Sequence, residues 1–297
     1  MISVIIPTCH RNDLLAKCLD CLAPGAQSLA AENYEVVVTD DGSRSTAEKM
    51  IQADYPWAKW VRGPRMGPAA NRNNGALHSR GDWLAFVDDD CLPDRQWLKA
   101  ILDVADAGVE VVEGKTITPD KVDNPFRQGV ENLRGGVYWS CNLAVRRDRF
   151  VELGGFDEEF LEAGGEDMEF AYRLQRAQLR ALFSSAALVL HPTRRIGFRQ
   201  LLWRTFLIRW ILLYYQKTGQ SQGAQDGLFA AVWFVICQRT MELIRTTWHF
   251  FSRFEADNWR TRLFYQLWKW ITFPVVLPYL VYWQLRFRKL AGQWREA

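Results

Sequence analysis

Short apolar runs alternate with helix-like segments along the first two thirds of this chain, and that alternation constrains the fold more than any other feature. Residues 2–7, 34–40 and 82–88 have the length and the residue types of buried strands. Strands that alternate with helices form a mostly parallel sheet covered by helices. We therefore predict an α/β fold. Further strands are predicted at 58–63, 109–118, 137–145 and 181–191, and helices near 11–22, 44–53, 67–80, 147–153 and 166–178.

The last third of the chain has a different composition. Nine of the 14 tryptophans lie after residue 200. Residues 197–297 carry 14 Lys and Arg against 5 Asp and Glu, whereas the net charge of the whole chain is only +3. We predict an α/β domain over 1–196 and an aromatic, basic and mainly helical region over 197–297. Such a region is either a solvated basic face or a surface that meets anionic lipid.

Cysteine usage and the first residues bear on the cellular compartment. The six cysteines show no spacing typical of a disulfide framework, and a chain of 34.5 kDa does not need one. Residues 2–7 have the pattern of a buried strand rather than the apolar part of a signal peptide. We expect a protein of the reducing cytosol, with no nucleic-acid partner.

Acidic side chains follow two of the predicted strands. Asp40 and Asp41 end one of them, and Asp88, Asp89 and Asp90 end another. Because ligands of α/β sheets bind outside the carboxyl ends of the strands, we expect both clusters to line one crevice. Two carboxylates about 4 Å apart repel by roughly 1 kcal/mol even in water. A positive group is therefore expected close to the triple aspartate.

Two interpretations of the triple aspartate remain open. Mg²⁺ or Mn²⁺ binds one or two carboxylates and completes its shell with phosphate oxygens and water, and Asp88 and Asp90 would lie on one side of an extended segment. Alternatively, Asp89 or Asp90 caps a helix that is predicted to begin at Pro93. The chain has no GxGxxG after its first strand and no GxxxxGK[ST], so the usual phosphate-binding loops are not supported.

Five segments resemble family 2 of the glycosyltransferases in their order and spacing. They are SVIIPTCHR (3–11), VVVTDDGS (36–43), GPAANRNNGALHSRGDWLAFVDDDCLPD (67–94), NLAVRRDRFVELGGFDEEF (142–160) and GGEDMEFAYRL (164–174). The resemblance covers about residues 2–192. It implies a Rossmann-like domain with the A-type glycosyltransferase fold, a nucleotide-diphospho-sugar donor, Mn²⁺ or Mg²⁺ as cofactor, and inversion at the anomeric carbon.

The resemblance also implies which residues bind the donor and the metal. Asp41 would accept a hydrogen bond from the base, and Asp90 would contact the metal directly. His191 occupies the position of a third metal ligand, although a lone histidine is more often structural. The donor-binding positions are Pro7, Thr8, Asp41, Arg72, Asp88 and Asp89, and the metal-binding positions are Asp90, Asp88 and His191.

A second motif, GGEDMEF, carries the predicted catalytic residues. Glu166 and Asp167 open a helix, where the helix dipole favours ionised carboxylates. By resemblance, Asp167 is the base that takes the proton of the acceptor hydroxyl, and Glu166 contacts the acceptor. The alternative is that both only cap the helix. Arg173 and Trp139 are predicted acceptor-binding residues, and Trp139 could equally be core packing.

The C-terminal region predicts association with a membrane surface. Residues 271–285 form the best spanning candidate, yet a helix of that length is about 22 Å long against a hydrocarbon core of roughly 30 Å. Pro274 and Pro278 interrupt it, and basic residues flank both ends. We therefore expect peripheral or monotopic attachment to the cytoplasmic face of the cell membrane.

These observations lead to one preferred function and one alternative. The preferred function is metal-dependent inverting transfer of a hexose from a nucleotide-diphospho-sugar, with UDP expected, to a lipid-linked or glycan acceptor near the membrane in surface polysaccharide or glycolipid synthesis. The alternative is a non-catalytic, nucleotide-binding or docking subunit of a membrane complex. The C-terminal region could also join copies of the chain into a homo-oligomer.

Overall fold

The computed structural model describes residues 1–105, 108–120 and 126–220, together with residues 241, 263, 267, 276, 278–283, 286 and 287. The chain divides into two compact units. The first contains Met1–Asp120 and Gly129–Thr193, and the second contains residues 126–128 and the described residues from Arg194 onward. Both predicted acid clusters lie in the first unit.

Strands and helices alternate through the first unit, as the apolar runs predict. The strands of the chain are β1 (Ile2–Thr8), β2 (Tyr34–Asp40), β3 (Lys59–Arg62), β4 (Trp83–Phe86), β5 (Leu92–Pro93), β6 (Val111–Ile117), β7 (Arg127–Gln128), β8 (Leu143–Arg146), β9 (Ala181–Leu190) and β10 (Arg194–Arg195). The helices are α1 (Asn12–Leu22), α2 (Glu48–Asp54), α3 (Pro68–Leu77), α4 (Trp97–Ala105), α5 (Arg147–Glu152), α6 (Glu166–Arg176), α7 (Phe198–Phe206) and α8 (Ile208–Thr218). Short 3₁₀ turns lie at Ala31–Asn33 and Ser140–Asn142.

Eight strands of the first unit form one mixed sheet in the order β3-β2-β1-β4-β8-β6-β9-β5. The strands β1 to β4 run parallel to one another, and β6 runs parallel to β9. In contrast, β8 is antiparallel to both of its neighbours, and β5 is antiparallel to β9. The prediction of a mostly parallel sheet is therefore correct for β1 to β4 and wrong at β8 and β5. The carboxyl ends of β1, β2, β4, β6 and β9 share one edge.

Both faces of this sheet are buried. Along β1, Val4 and Ile6 belong to one apolar cluster, whereas Ile5 belongs to another. Successive side chains of a strand point to opposite faces, so a strand buried on both faces must have helices above and below. The helix α3 packs against β1 so closely that a Cβ atom at Gly75 would lie 2.5 Å from Cγ2 of Ile5. This packing positions Arg72, one turn earlier in α3.

Two predicted boundaries are wrong, and both have a physical reason. The helix expected to begin at Pro93 begins at Trp97, because Pro93 pairs with Val189 of β9 as part of β5. Asp94 forms the turn that precedes the helix, since its carboxylate accepts a hydrogen bond from the backbone N–H of Gln96 at 2.8 Å. Asp89 and Asp90 therefore do not cap that helix.

The strand expected over 137–145 is confined to its carboxyl-terminal end, where β8 begins at Leu143. The residues before it form the 3₁₀ turn Ser140–Asn142. This turn exists because the side chain of Asn142 bonds to three other segments, accepting from Trp97 Nε1 and donating to two backbone carbonyls.

The described part of the second unit contains the antiparallel pair β7–β10 and the aromatic helices α7 and α8. The guanidinium of Arg209 lies 4.8 Å from the ring centroid of Trp210 and 5.0 Å from that of Trp283, and it donates to the hydroxyl of Tyr279. The predicted spanning candidate, 271–285, lies partly outside the described residues. Within the described part of the chain, no helix has both the length and the apolar character needed to cross a bilayer.

Candidate active site

The carboxyl edge of the sheet brings together most of the predicted site residues. Thr8 ends β1, Asp41 follows β2, and His191 follows β9. The triple aspartate follows β4 in a tight turn, in which the backbone N–H of Cys91 donates to the carbonyl of Asp88 at 3.1 Å. The strand directions thus explain why segments far apart in sequence meet at one place.

The positive charge that the triple aspartate requires comes from two arginines. Arg11 Nη2 lies 2.8 Å from Asp89 Oδ1, and Arg11 Nη1 lies 3.5 Å from Asp90 Oδ2. Arg72 Nη2 lies 2.9 Å from Asp88 Oδ1. The expectation that Asp88 and Asp90 share one side of an extended segment is wrong, because the segment turns and the two carboxylates have different cationic partners.

Asp89 is the most deeply buried of the three aspartates. Burial raises the pKa of Asp89 to about 7, although Arg11 and the Thr8 hydroxyl both act to lower it. Thr8 Oγ1 donates to Asp89 Oδ2 at 2.7 Å. Asp89 therefore ties the end of β1 to the turn after β4.

Arg72 connects two groups of acidic residues. Its Nη2 contacts Asp88, and its Nη1 lies 3.3 Å from Glu166 Oε1 at the start of α6. Burial acts to lower the pKa of the Arg72 guanidinium, but Asp88, Asp167 and Glu166 outweigh it and raise the pKa. A permanently charged arginine thus links the predicted donor side of the cleft to its predicted acceptor side.

One group of side chains fits a hard divalent cation. Asp90, Cys91 and His191 are buried, and each brings a potential ligand atom to within 4.8 Å of the others. His191 Nε2 lies 3.8 Å from Asp90 Oδ1, which is too far for a hydrogen bond and close enough for both atoms to coordinate one ion. Burial raises the pKa of the Cys91 thiol well above its usual value, so the soft sulfur stays protonated.

The orientation of the His191 ring agrees with a role as metal ligand. Nδ1 of His191 lies 3.3 Å from the backbone carbonyl of Pro192. A proton on Nδ1 would satisfy that carbonyl and leave the lone pair of Nε2 directed toward Asp90. Asp90 and His191 therefore form the donor set that fits Mg²⁺ or Mn²⁺, and Asp88 lies in the same turn.

The two aspartates after β2 have different surroundings. The buried carboxylate of Asp40 accepts hydrogen bonds from the backbone N–H groups of Gly42 at 2.8 Å and Ala47 at 2.6 Å, which fixes the turn. Asp41 is only half-buried and accepts from the backbone N–H of Arg65 at 2.8 Å. Burial raises the pKa of Asp41. The turn that Asp40 fixes thus holds Asp41, whose carboxylate is predicted to bind the nucleotide base, at the edge of the sheet.

The start of α6 depends on two glycines. Gly164 and Gly165 have φ angles of 136° and 134°, a backbone region that favours glycine. The backbone N–H of Gly164, which lies before the helix, donates to Glu166 Oε2 at 2.7 Å, and Glu166 pairs with Arg72 as well. No described side chain caps the first turn of α6, so the capping interpretation is wrong for both Glu166 and Asp167.

Asp167, the predicted base, has the more unusual environment. Burial raises the pKa of Asp167 to about 7, the charge of Glu166 raises it further, and Arg72 opposes both. Among the described residues, none forms a hydrogen bond with its Oδ1 atom. A carboxyl group that titrates near neutral pH at the end of a cleft is suited to general-base chemistry.

The contacts of Trp139, Arg173 and Pro7 do not test the roles predicted for them. Trp139 is half-buried and packs against the apolar core. Arg173 bonds to Glu169 at 2.7 Å and to the carbonyl of Leu153, and Pro7 is buried at the end of β1. The donor role of Pro7 and the acceptor roles of Trp139 and Arg173 stay predictions.

Two residues of the cleft were not predicted. The three adjacent aspartates require a positive group nearby, and that requirement could have identified Arg11. Arg11 follows β1 at the same edge of the sheet as the aspartates. Ser140 lies beside Asp167 and is 1% exposed. No sequence pattern distinguishes a single serine of this kind.

Known proteins resemble this chain at the level of sequence. The family model described as "Glycosyl transferase family 2" matches residues 3–206. Glycosyltransferase AglE of Haloferax volcanii is 28% identical over 211 residues, which cover 66% of this chain and 68% of AglE. Validoxylamine A glucosyltransferase of Streptomyces hygroscopicus subsp. limoneus is 30% identical over 218 residues, covering 59% of this chain and 48% of that protein. The chain thus spans about half the length of the second relative.

Solved structures resemble it at the level of the fold. The mannosyltransferase PcManGT from Pyrobaculum calidifontis, in complex with GDP-Man and Mn²⁺, superposes with a TM-score of 0.57 at 18% identity. The match covers 91% of this chain and 86% of PcManGT. The likeness supports the predicted nucleotide-sugar transferase fold for the first unit.

Proposed function

The chain belongs to glycosyl transferase family 2 and is a glycosyltransferase, and from that premise we propose that it transfers a hexose from a nucleotide-diphospho-sugar to an acceptor hydroxyl with inversion. One observation carries the proposal. Arg72 bridges Asp88 on one side of the cleft and Glu166 on the other, beside Asp167 with a pKa of about 7. A subunit that only bound nucleotides would have no chemical need for a neutral-range carboxyl group there.

In the proposed reaction, Asp167 accepts the proton of the acceptor hydroxyl while the hydroxyl oxygen attacks the anomeric carbon. The bond from that carbon to the phosphate oxygen breaks, and its electron pair leaves with the nucleoside diphosphate. Arg11 and Arg72 pair with aspartates of this edge. Fixed cations at that place would stabilise the negative charge that develops on the leaving diphosphate. Asp90 and His191, with Asp88, would hold a divalent cation, which would neutralise the diphosphate when bound.

The nucleotide remains to be identified. We expect UDP, and Asp41 would accept from its base. PcManGT, which shares the fold, is in complex with GDP-Man and Mn²⁺, so GDP is the main competitor.

Calorimetric titration with UDP, GDP and dTDP, each with and without Mn²⁺, tests the proposed donor site. We expect metal-dependent binding of one nucleotide, and loss of that binding in Asp90→Ala. Asp103→Ala is the matched control, because Asp103 is exposed and its carboxylate pairs with Lys99 of the same helix, α4. Absence of binding for every nucleotide would favour the non-catalytic docking subunit instead.

The proposed site of action is the cytoplasmic membrane surface, where the acceptor would be lipid-linked. Residues 194–218 contain six Lys and Arg and no Asp or Glu. Phe198 is 49% exposed and Trp203 is 54% exposed, and Arg194, Arg195 and Arg199 are exposed around them. Aromatic rings together with basic side chains favour the interface of an anionic bilayer.

Flotation with vesicles tests this location. The full chain is expected to float with vesicles that contain phosphatidylglycerol and to stay unbound with pure phosphatidylcholine. The double variant Phe198→Ala/Trp203→Ala should float less, whereas Leu133→Ala, which removes an exposed apolar side chain of the first unit, should float like the wild type. Equal flotation of all variants would contradict the proposed surface.

A further inference from the structure

Among the residues that the structure describes, two neighbouring buried polar atoms near the start of α6 have no hydrogen-bond partner. They are the hydroxyl oxygen of Ser140, a residue 1% exposed, and Oδ1 of Asp167. The Ser140 hydroxyl is close enough to act on the pKa of Asp167, which burial raises, and it acts to lower that pKa. Within the described part of the chain neither atom completes a hydrogen bond, so the Ser140 hydroxyl keeps a donor and Asp167 Oδ1 keeps an acceptor position available.

This arrangement is unusual because most buried polar side-chain atoms are paired. The backbone around Ser140 is fixed on both sides. Before it, the buried carboxylate of Glu113 accepts from the backbone N–H groups of Val137 at 2.9 Å and Tyr138 at 2.6 Å. After it, Asn142 bonds to Trp97 Nε1 at 2.8 Å. The unpaired hydroxyl is therefore held at this place by well-satisfied neighbours.

The two unpaired atoms could together bind one hydroxyl group. Asp167 Oδ1 accepts hydrogen bonds, and a serine hydroxyl can donate one. A hydroxyl group placed between them would donate its proton to Asp167 and accept from Ser140. The acceptor hydroxyl of the proposed reaction needs these two hydrogen bonds before its oxygen attacks the anomeric carbon.

We propose that Ser140 binds the oxygen of the acceptor hydroxyl and, together with Asp167, restricts the acceptor to oxygen nucleophiles. The inference rests on the proposed function. An alcohol oxygen has two lone pairs, so one can accept from Ser140 while the other forms the bond to the anomeric carbon. A neutral amine has a single lone pair, which the attack consumes, so it cannot satisfy Ser140 at the same time. The alcohol proton passes to Asp167, and the bond to the diphosphate breaks.

The test measures how the enzyme divides its donor between water and an added alcohol. The wild-type full chain is incubated with Mn²⁺ and UDP-glucose or GDP-mannose, at high glycerol concentration, and glucosyl or mannosyl glycerol is quantified against free sugar. Ser140→Ala should lower the ratio of glycerol product to free sugar about tenfold, the effect of losing one hydrogen bond. Ser140→Thr, which keeps the hydroxyl, should retain most of the ratio.

The product ratio does not depend on the fraction of folded enzyme, so a loss of stability cannot imitate the effect. Ser184→Ala is the matched control, because Ser184 is also buried and its hydroxyl accepts from the backbone N–H of Ala187. An unchanged ratio in Ser140→Ala, or wild-type enzyme that uses serinol through its amine as well as it uses glycerol, would overturn the inference alone. Consumption of neither donor by the wild type would overturn the proposed donor chemistry and the inference with it.

Discussion

Substitution of Glu113 tests how the segment that leads into Ser140 is held in place. Glu113 is 2% exposed and accepts four hydrogen bonds from the segment that leads into Ser140. Oε1 accepts from Asn132 Nδ2 at 2.8 Å and from the backbone N–H groups of Val137 and Tyr138. Oε2 accepts from the backbone N–H of Gly136 at 2.6 Å. The perturbation is Glu113→Gln, which preserves shape and removes one acceptor atom.

The hydrogen bonds that Glu113→Gln removes or weakens determine how much stability the segment loses. The less costly orientation of the new amide keeps its oxygen in the place of Oε1 and directs its NH₂ group at the backbone N–H of Gly136. That buried donor loses its partner, at a cost of about 1–3 kcal/mol. The three remaining bonds lose their charge assistance, which supplies roughly half of their strength. We expect the segment 132–140 to lose about 3 kcal/mol of stability against local opening.

Hydrogen–deuterium exchange read by mass spectrometry measures that loss directly. A loss of about 3 kcal/mol corresponds to roughly hundredfold faster exchange of the segment, since 1.4 kcal/mol is tenfold. Glu131→Gln makes the same chemical change at an exposed position of the same loop and should alter exchange by about twofold at most. Wild-type exchange in Glu113→Gln would refute the reasoning.

Two further predictions concern the chemistry of the cleft. The kcat/KM for donor consumption should rise with pH and level off above about 7, because only the ionised form of Asp167 accepts a proton. Glu166→Gln removes a neighbouring negative charge that raises the pKa of Asp167, so it should move this rise about one pH unit lower. A pH–rate profile that does not move in Glu166→Gln would contradict Asp167 as the base. His191→Ala should weaken Mn²⁺-dependent nucleotide binding at least about tenfold by calorimetry, whereas His78→Ala, at an exposed histidine, should leave it unchanged.

The parts of the fold that the sequence predicts well are those with local signals. The strands β1, β2 and β4 are continuous apolar runs, and the acid clusters at the ends of β2 and β4 indicate the functional edge of the sheet. The gathering of Asp41, the triple aspartate and His191 follows from strand direction alone.

The parts that could not be predicted depend on partners far away in sequence. Only two residues form β5, and they are a strand because Leu92 and Pro93 meet Leu190 and Val189 of β9. The reversed direction of β8 is likewise a property of its neighbours in the sheet. Arg11 and Ser140 belong to the cleft for the same reason, because tertiary contacts to Asp89 and Asp167 give them their significance.

The central claim is that this cleft uses Asp167 to transfer a sugar, and one measurement tests it most directly. Asp167→Asn is compared with the wild type for nucleotide binding by calorimetry and for release of nucleoside diphosphate from the nucleotide-sugar that binds. The variant should bind the nucleotide within about threefold of the wild type, while turnover falls by about 10²–10⁴, the usual contribution of a general base. Turnover within about tenfold of the wild type would exclude Asp167 as the base.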